Sequence, residues 1–170
     1  MANKMQIQVS KDFKNKKITV KREFDAPVDL VWKAWTESKH LDLWWAPKPY
    51  VTKTKSMDFR VGGIWLYTMI GPEGPTAWCI VEFTSIKKNI NFQATGAFGD
   101  EKGNKDLSFP IMYWNNVFSA SGKRTTVDVE ISFDKEADVE QILAMGFEAG
   151  FTAGLENLDE LLSKYELQKI

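Results

Sequence analysis

The sequence is poor in the residues that most active-site chemistry needs. Its 170 residues include one cysteine, Cys79, and one histidine, His40. A lone thiol excludes an internal disulfide and suits a reducing compartment. One histidine without a His/Cys cluster excludes a zinc site of the usual composition. A Ser-His-Asp arrangement would have to draw on His40, which stands beside Lys39 on a stretch expected to be surface helix. No Gly-rich phosphate loop is present, so no nucleotide cofactor is expected. An excess of either charge is lacking too. The 22 basic residues meet 23 acidic ones, for a net charge of −1, which leaves no footprint for nucleic acid. No stretch reaches the roughly 20 apolar residues of a membrane helix. The opening "MANKMQIQVS" has neither an apolar run nor a small-residue cleavage site, so a signal peptide is not expected and a cytoplasmic location is.

Aromatic rings are what the chain has in plenty. Seven Trp, eleven Phe and four Tyr make up 13 % of it, enough to fill a large interior or to line a pocket. The length fits one domain, expected over residues 17–168 behind a polar, lysine-bearing and partly mobile segment, 1–16.

"KITVKREF" (17–24) alternates as a strand with Ile18, Val20, Arg22 and Phe24 on one face. "DAPVDLVWKAWT" (25–36) turns helical, with Pro27 in the first turn, where its missing N–H costs nothing. "SKHLDLWW" (38–45) reads as a second short helix that stops before Pro47. Adjacent helical positions point about 100° apart, so Trp44 and Trp45 cannot enter one pocket. One ring is expected to point inward and the other to brace the neighbouring helix. Six strands follow, over 50–60, 63–70, 76–86, 89–98, 112–120 and 124–134. Short turn sequences separate most of them and favour an antiparallel meander. The longer "GDEKGNKDLSFP" (99–110) is the candidate for a mobile loop.

Residues 135–168 carry an apolar stripe at helical spacing from Val139 to Tyr165, and one continuous helix of roughly 45–50 Å is expected. Gly146, Gly150 and Gly154 recur every fourth residue on it. Each interior helical glycine costs about 1 kcal/mol relative to alanine, so close packing or a bound molecule must offset the loss. The order of strand, two helices, six strands and a long helix gives an α+β domain. Its seven-stranded, strongly twisted sheet wraps round the last helix. A curved sheet cannot press everywhere on a straight rod, and the gap between them is the natural place for a cavity.

Four stretches, in order, carry a resemblance. "REFDAPVDLVWKAWTESKHLDLWWAP" (22–47), "DFRVGG" (58–63), "IVEF" (80–83) and "MGFEAGFTAGLENLDELL" (145–162) together resemble the helix-grip, START-like (SRPBCC) superfamily. Within it they are similar to the Aha-type domain, related to the activator of the ninety-kilodalton heat-shock protein's ATPase. Phe151 stands where that family commonly has Trp. The resemblance implies a helix-grip fold with two short helices after the first strand. It also implies a chaperone as a partner to consider, and cyclase- or hydrolase-like relatives as an enzymatic alternative.

The function expected first is the binding of a small apolar or aromatic molecule. Trp65, Tyr67 and Met69 share one strand face, and Trp78, Ile80 and Glu82 share a face of the next strand. Trp65, Tyr67, Trp78, Trp114, Phe147 and Phe151 are the candidate walls, and Arg60 is the candidate polar anchor. Asp58 and Arg60, two residues apart on an extended strand, share a face and could pair with each other or bind an anionic group. Arg22 is either a strand-end residue with its head in water or a contact at the cavity rim. Cys79, in an apolar strand, should be an inert thiol. No catalytic or metal-binding residue is assigned. Glu82 could serve as a general base only if burial raised its pKa. An interaction module acting on a chaperone would instead show an exposed face and little internal void.

Overall fold

The computed structural model describes residues 7–168. Residues 1–6, part of the segment expected to be partly mobile, lie outside the described residues. Strands β1 (Gln8–Asp12) and β2 (Lys17–Phe24) lead into helices α1 (Val28–Thr36) and α2 (Ser38–Trp44). Six strands follow: β3 (Val51–Met57), β4 (Ile64–Gly71), β5 (Gly74–Lys87), β6 (Asn91–Gly99), β7 (Met112–Ser121) and β8 (Arg124–Ser132). Helices α3 (Glu136–Ala144) and α4 (Phe147–Gln168) close the described chain. All eight strands form one antiparallel sheet in the order β1-β2-β8-β7-β6-β5-β4-β3.

The six strands expected after the first helices are all present, and the sheet has eight strands rather than seven. The addition is β1, an edge strand whose residues pair one for one with β2, from Gln8 with Lys21 to Asp12 with Lys17. Its sequence, QVSKD, is mostly polar on both faces, and that suits an edge open to water. Irregular register in three pairs, near Thr54–Ser56, Thr68–Ile70 and Phe83–Ser85, bends the sheet into its bowl.

The long C-terminal helix is the second difference. It is broken after Ala144. Gly146 adopts φ +87°, a left-handed conformation that glycine enters at no steric cost. Its N–H donates to the Leu143 carbonyl at 3.1 Å, closing α3, while its own carbonyl accepts from Gly150 N–H at 3.0 Å, opening α4. Gly146 is therefore a hinge between two helices and not part of a packed glycine stripe. The remaining helix, 22 residues long, spans about 33 Å and still fills the bowl.

The molecule has a filled end and a looser end. At the filled end Leu155, Leu158 and Leu162 of α4 join Ile18, Val20 and Val127 of β2 and β8 in one buried cluster. Arg22 sits on the same inward face of β2, buried, with its guanidinium paired to Asp159 of α4 at 3.2 Å and donating to the Glu23 carbonyl at 2.8 Å. Its head is neither in water nor at a cavity rim. At the looser end the inward faces of β4 to β7 look across at α2, α3 and the start of α4.

Candidate functional site

The turn after α2 sorts the two adjacent tryptophans. Trp44 is fully buried and its indole N–H donates to the Ala34 carbonyl of α1 at 2.8 Å, with its ring 5.0 Å from Trp35. Trp45 turns the other way, and its N–H donates to the Tyr67 hydroxyl of β4 at 2.8 Å. One ring braces the helix pair and the other reaches the sheet. Asn157 of α4 donates to the Ala46 carbonyl at 2.9 Å, so a buried backbone acceptor just after α2 finds a partner.

Between those helices and the sheet lies a partly open cavity of about 470 Å³. Trp65, Tyr67, Cys79, Val81, Ala94 and Trp114 line its sheet side. Trp45, Ile142, Phe147 and Phe151 line the helical side, and Phe98, Phe109 and Met145 also belong to the lining. The rings meet one another: Trp114 lies 5.9 Å from Trp45 and 5.8 Å from Phe151, and Trp65 stacks on Tyr67 at 4.0 Å. Among the lining residues there is no Asp, Glu, Lys, Arg or His.

Five of the seven residues singled out from the sequence line this cavity: Trp65, Tyr67, Trp114, Phe147 and Phe151. Trp78 and Arg60 do not. Register explains the first. Tyr67 pairs with Cys79 and Trp65 with Val81, so Cys79 and Val81 face inward. Trp78, paired with Thr68, must then face the convex side, and Ile80 and Glu82 go with it. Arg60 stands on the turn before β4, with its side chain 72 % exposed and paired to Asp58. Phe59, between those two, points the opposite way and packs on Phe83 at 4.8 Å and on Trp32 at 6.0 Å. The turn thus buries its aromatic residue and leaves its charges in water.

Sequence reasoning missed several contributors. Trp35 and Asn116 both line the cavity. Asn116 alternates with Met112, Trp114 and Phe118 along β7, and that period was the available signal. Phe109 comes from the 99–110 segment, where its ring meets Phe98 at 5.4 Å. That segment is held by Asp100, whose carboxylate accepts from the backbone N–H groups of Lys102 and Asn104, both at 2.9 Å.

The titratable groups of the lining are Tyr67 and Cys79. Burial pushes the Tyr67 hydroxyl well above its ordinary value, and burial lifts the Cys79 thiol to about 11. Both are neutral at pH 7 and neither can act there as a proton acceptor. His40 is not the exposed residue expected. Its side chain is 15 % exposed, and its Nδ1 lies 2.6 Å from the Tyr165 hydroxyl of α4, away from the cavity. Among the described residues no three His, Cys, Asp or Glu side chains converge where a metal could sit. The arrangement can enclose an apolar body, desolvate it and stack rings on it.

A profile for the family described as Activator of Hsp90 ATPase homolog 1-like protein matches residues 25–163. The chain belongs to this family. The resemblance read from "WW", "DFRVGG" and the final helix is accordingly a family relationship. Several solved structures superpose on this chain over most of both chains. One from Arthrobacter aurescens is 28 % identical, with a TM-score of 0.87 over 92 % of this chain and 91 % of that one. A second, from Mycobacterium smegmatis, is 25 % identical with a TM-score of 0.85, covering 92 % and 97 %. A third, from Staphylococcus epidermidis, is 26 % identical with a TM-score of 0.81, covering 93 % and 94 %. None of the curated proteins matches. Family and fold together support a ligand-binding helix-grip domain in the general sense. No described helix of this chain is long and apolar enough to cross a membrane.

Proposed function

We propose that this domain binds one small hydrophobic or aromatic molecule between its helices and its sheet. The observation that carries the reading is a cavity of about 470 Å³ walled by Trp, Phe, Met and aliphatic side chains, without a charged residue in its lining. That volume falls in the range of about 300–1,000 Å³ typical of small-molecule sites. Apolar surface brought out of water there contributes about 25 cal/mol per Å² to affinity before the costs of association are met. The remaining void favours this reading over a chaperone-acting module, which calls for a filled interior and an exposed binding face. An enzymatic role would need a group in reach of the bound molecule that can take up a proton at pH 7; Tyr67 and Cys79 of the lining stay neutral there. Glu82 faces the convex side, and Arg22 is engaged with Asp159.

Native mass spectrometry of the chain purified from cells tests the proposal. The expected result is a mass excess that survives gentle ionisation, leaves on collisional activation and is accompanied by a shift in tryptophan emission on ligand loss. A chain that carries no adduct and takes up no apolar fluorophore at micromolar concentration would overturn it. Stimulation of a purified chaperone's ATP turnover by the ligand-free chain would favour the other reading.

A further inference from the structure

Buried polar atoms almost always have partners. Among the described residues four buried side-chain atoms have none: Trp35 Nε1, Thr52 Oγ1, Asn89 Oδ1 and Asn116 Oδ1. Two of the four, on Trp35 and Asn116, belong to the cavity lining. Those residues are 3 % and 2 % exposed, so bulk water does not serve them. The indole nitrogen is an obligate donor and the amide oxygen an acceptor, yet they do not satisfy each other. The rest of the polar lining contrasts with them. Trp45 N–H donates to the Tyr67 hydroxyl, which in turn interacts with the Cys79 sulfur.

The two residues that carry these atoms both stand beside Phe118. Asn116 sits between Trp114 and Phe118 on the inward face of β7, and the Trp35 ring lies 5.9 Å from Phe118 and 6.4 Å from Phe151. In a wall whose other polar groups pair among themselves, an unpaired donor and an unpaired acceptor are what a ligand's polar head would complete. No lining residue could balance a charge on that head, and an unpaired charge in such surroundings is strongly disfavoured.

Resting on the ligand-binding reading above, we propose that the molecule held here has an apolar or aromatic body and a compact neutral head. The head offers one acceptor to Trp35 N–H and one donor to Asn116 Oδ1. A hydroxyl on that body, phenolic where the body is aromatic, does both. The head lies between α1 and β7, and the body extends along Trp114 and Phe151 toward Phe109.

Calorimetric titration of the full chain with naphthalene, 2-naphthol and 2-naphthoate separates the possibilities. The three bodies match and only the head differs. A hydroxyl lowers the drive to leave water, so any preference for it must come from bonds formed inside. Binding of 2-naphthol about tenfold tighter than naphthalene is expected, with 2-naphthoate weakest. In Trp35→Phe and in Asn116→Leu the naphthol-to-naphthalene ratio should fall toward one, whatever each variant's absolute affinity. The wild-type series decides alone if either variant fails to fold. Equal binding of naphthalene and 2-naphthol would overturn the polar-head assignment and leave the cavity reading standing. Tightest binding of 2-naphthoate would overturn the neutrality of the head. Binding of none of the three would overturn this inference, and if the chain also takes up no apolar fluorophore the cavity reading falls with it.

Discussion

Gly150 and Gly154 look equivalent in the sequence, four residues apart on one helix, but their surroundings differ. A Cβ on Gly150 would meet only Pro47 Cγ, at 3.8 Å, an ordinary contact. On Gly154 it would stand 3.0 Å from the Trp45 carbonyl oxygen and 3.3 Å from that of Trp44. Those oxygens end α2, and Asn157, one turn further along α4, already holds the same stretch. Gly150→Ala should therefore gain about 0.5–1 kcal/mol, because the helix loses a flexible residue and nothing must move. Gly154→Ala takes the same propensity gain but overpacks the seam, at a cost of about 1–3 kcal/mol, for a net loss of about 1 kcal/mol. Urea unfolding of both variants checks the opposite signs. A stabilised Gly154→Ala would show that α2 can yield at its end. The paired tryptophans divide by the same logic of environment: Trp44 finds a carbonyl inside the helix pair, and Trp45 finds a hydroxyl across the cavity.

Helix α2 is tied to α4 at its other end by His40 and Tyr165, whose rings lie 5.2 Å apart with 70° between their planes. Burial pushes the imidazole below its ordinary 6.5; Glu37 pulls the other way, and Lys39 and Lys33 add to the drop. The unfolded chain thus takes up this proton at a higher pH than the folded one. Between the two values the unfolded state binds more protons, so stability falls as pH falls below about 6.5 and is complete above it. The carboxylates held low by local hydrogen bonds, Asp12, Asp100 and Asp106, act only below about 3.8. The urea midpoint should decline between pH 7.5 and 5.5, and His40→Gln should flatten that decline; an unchanged slope in the variant would place the titration elsewhere. Little of this clasp was legible beforehand, because a histidine beside a lysine on a short helix looks like surface until the partner helix is placed over it. Strands β3 to β8 were legible from their period of two and the turn residues between them. The helix break was not, since Gly146 keeps the spacing of the apolar stripe and its left-handed backbone is set by packing, not by pattern. Edge strand β1 was hidden by its polar sequence. Trp78 was misplaced because alternation shows which residues share a face without showing which face is inward; the pairing of Tyr67 with Cys79 settles that.

The molecule as a whole is packed at one end and held open at the other, and the open end costs stability. A domain of this size could fill the space with larger residues on β6, where Ala94 and Gly96 line the cavity. Ala94 pairs with Trp114 on one side and Phe83 on the other, all within the aromatic wall. Two accounts of this region make opposite forecasts for Ala94→Leu. In a fully packed core the added atoms must displace neighbours, which costs about 1–3 kcal/mol. Within a true void they gain contacts and remove apolar surface from water, which stabilises by about 0.5–2 kcal/mol. The structure calls for the second outcome in the ligand-free chain, together with a loss of affinity for an apolar probe of at least tenfold. Thermal unfolding with and without the probe measures both effects on one sample: the variant should melt above the wild type when empty, and added probe should raise the wild type's midpoint more than the variant's. A variant that melts lower in both conditions would mean that the aromatic residues collapse on one another in solution and that the space between helices and sheet is not kept for a ligand.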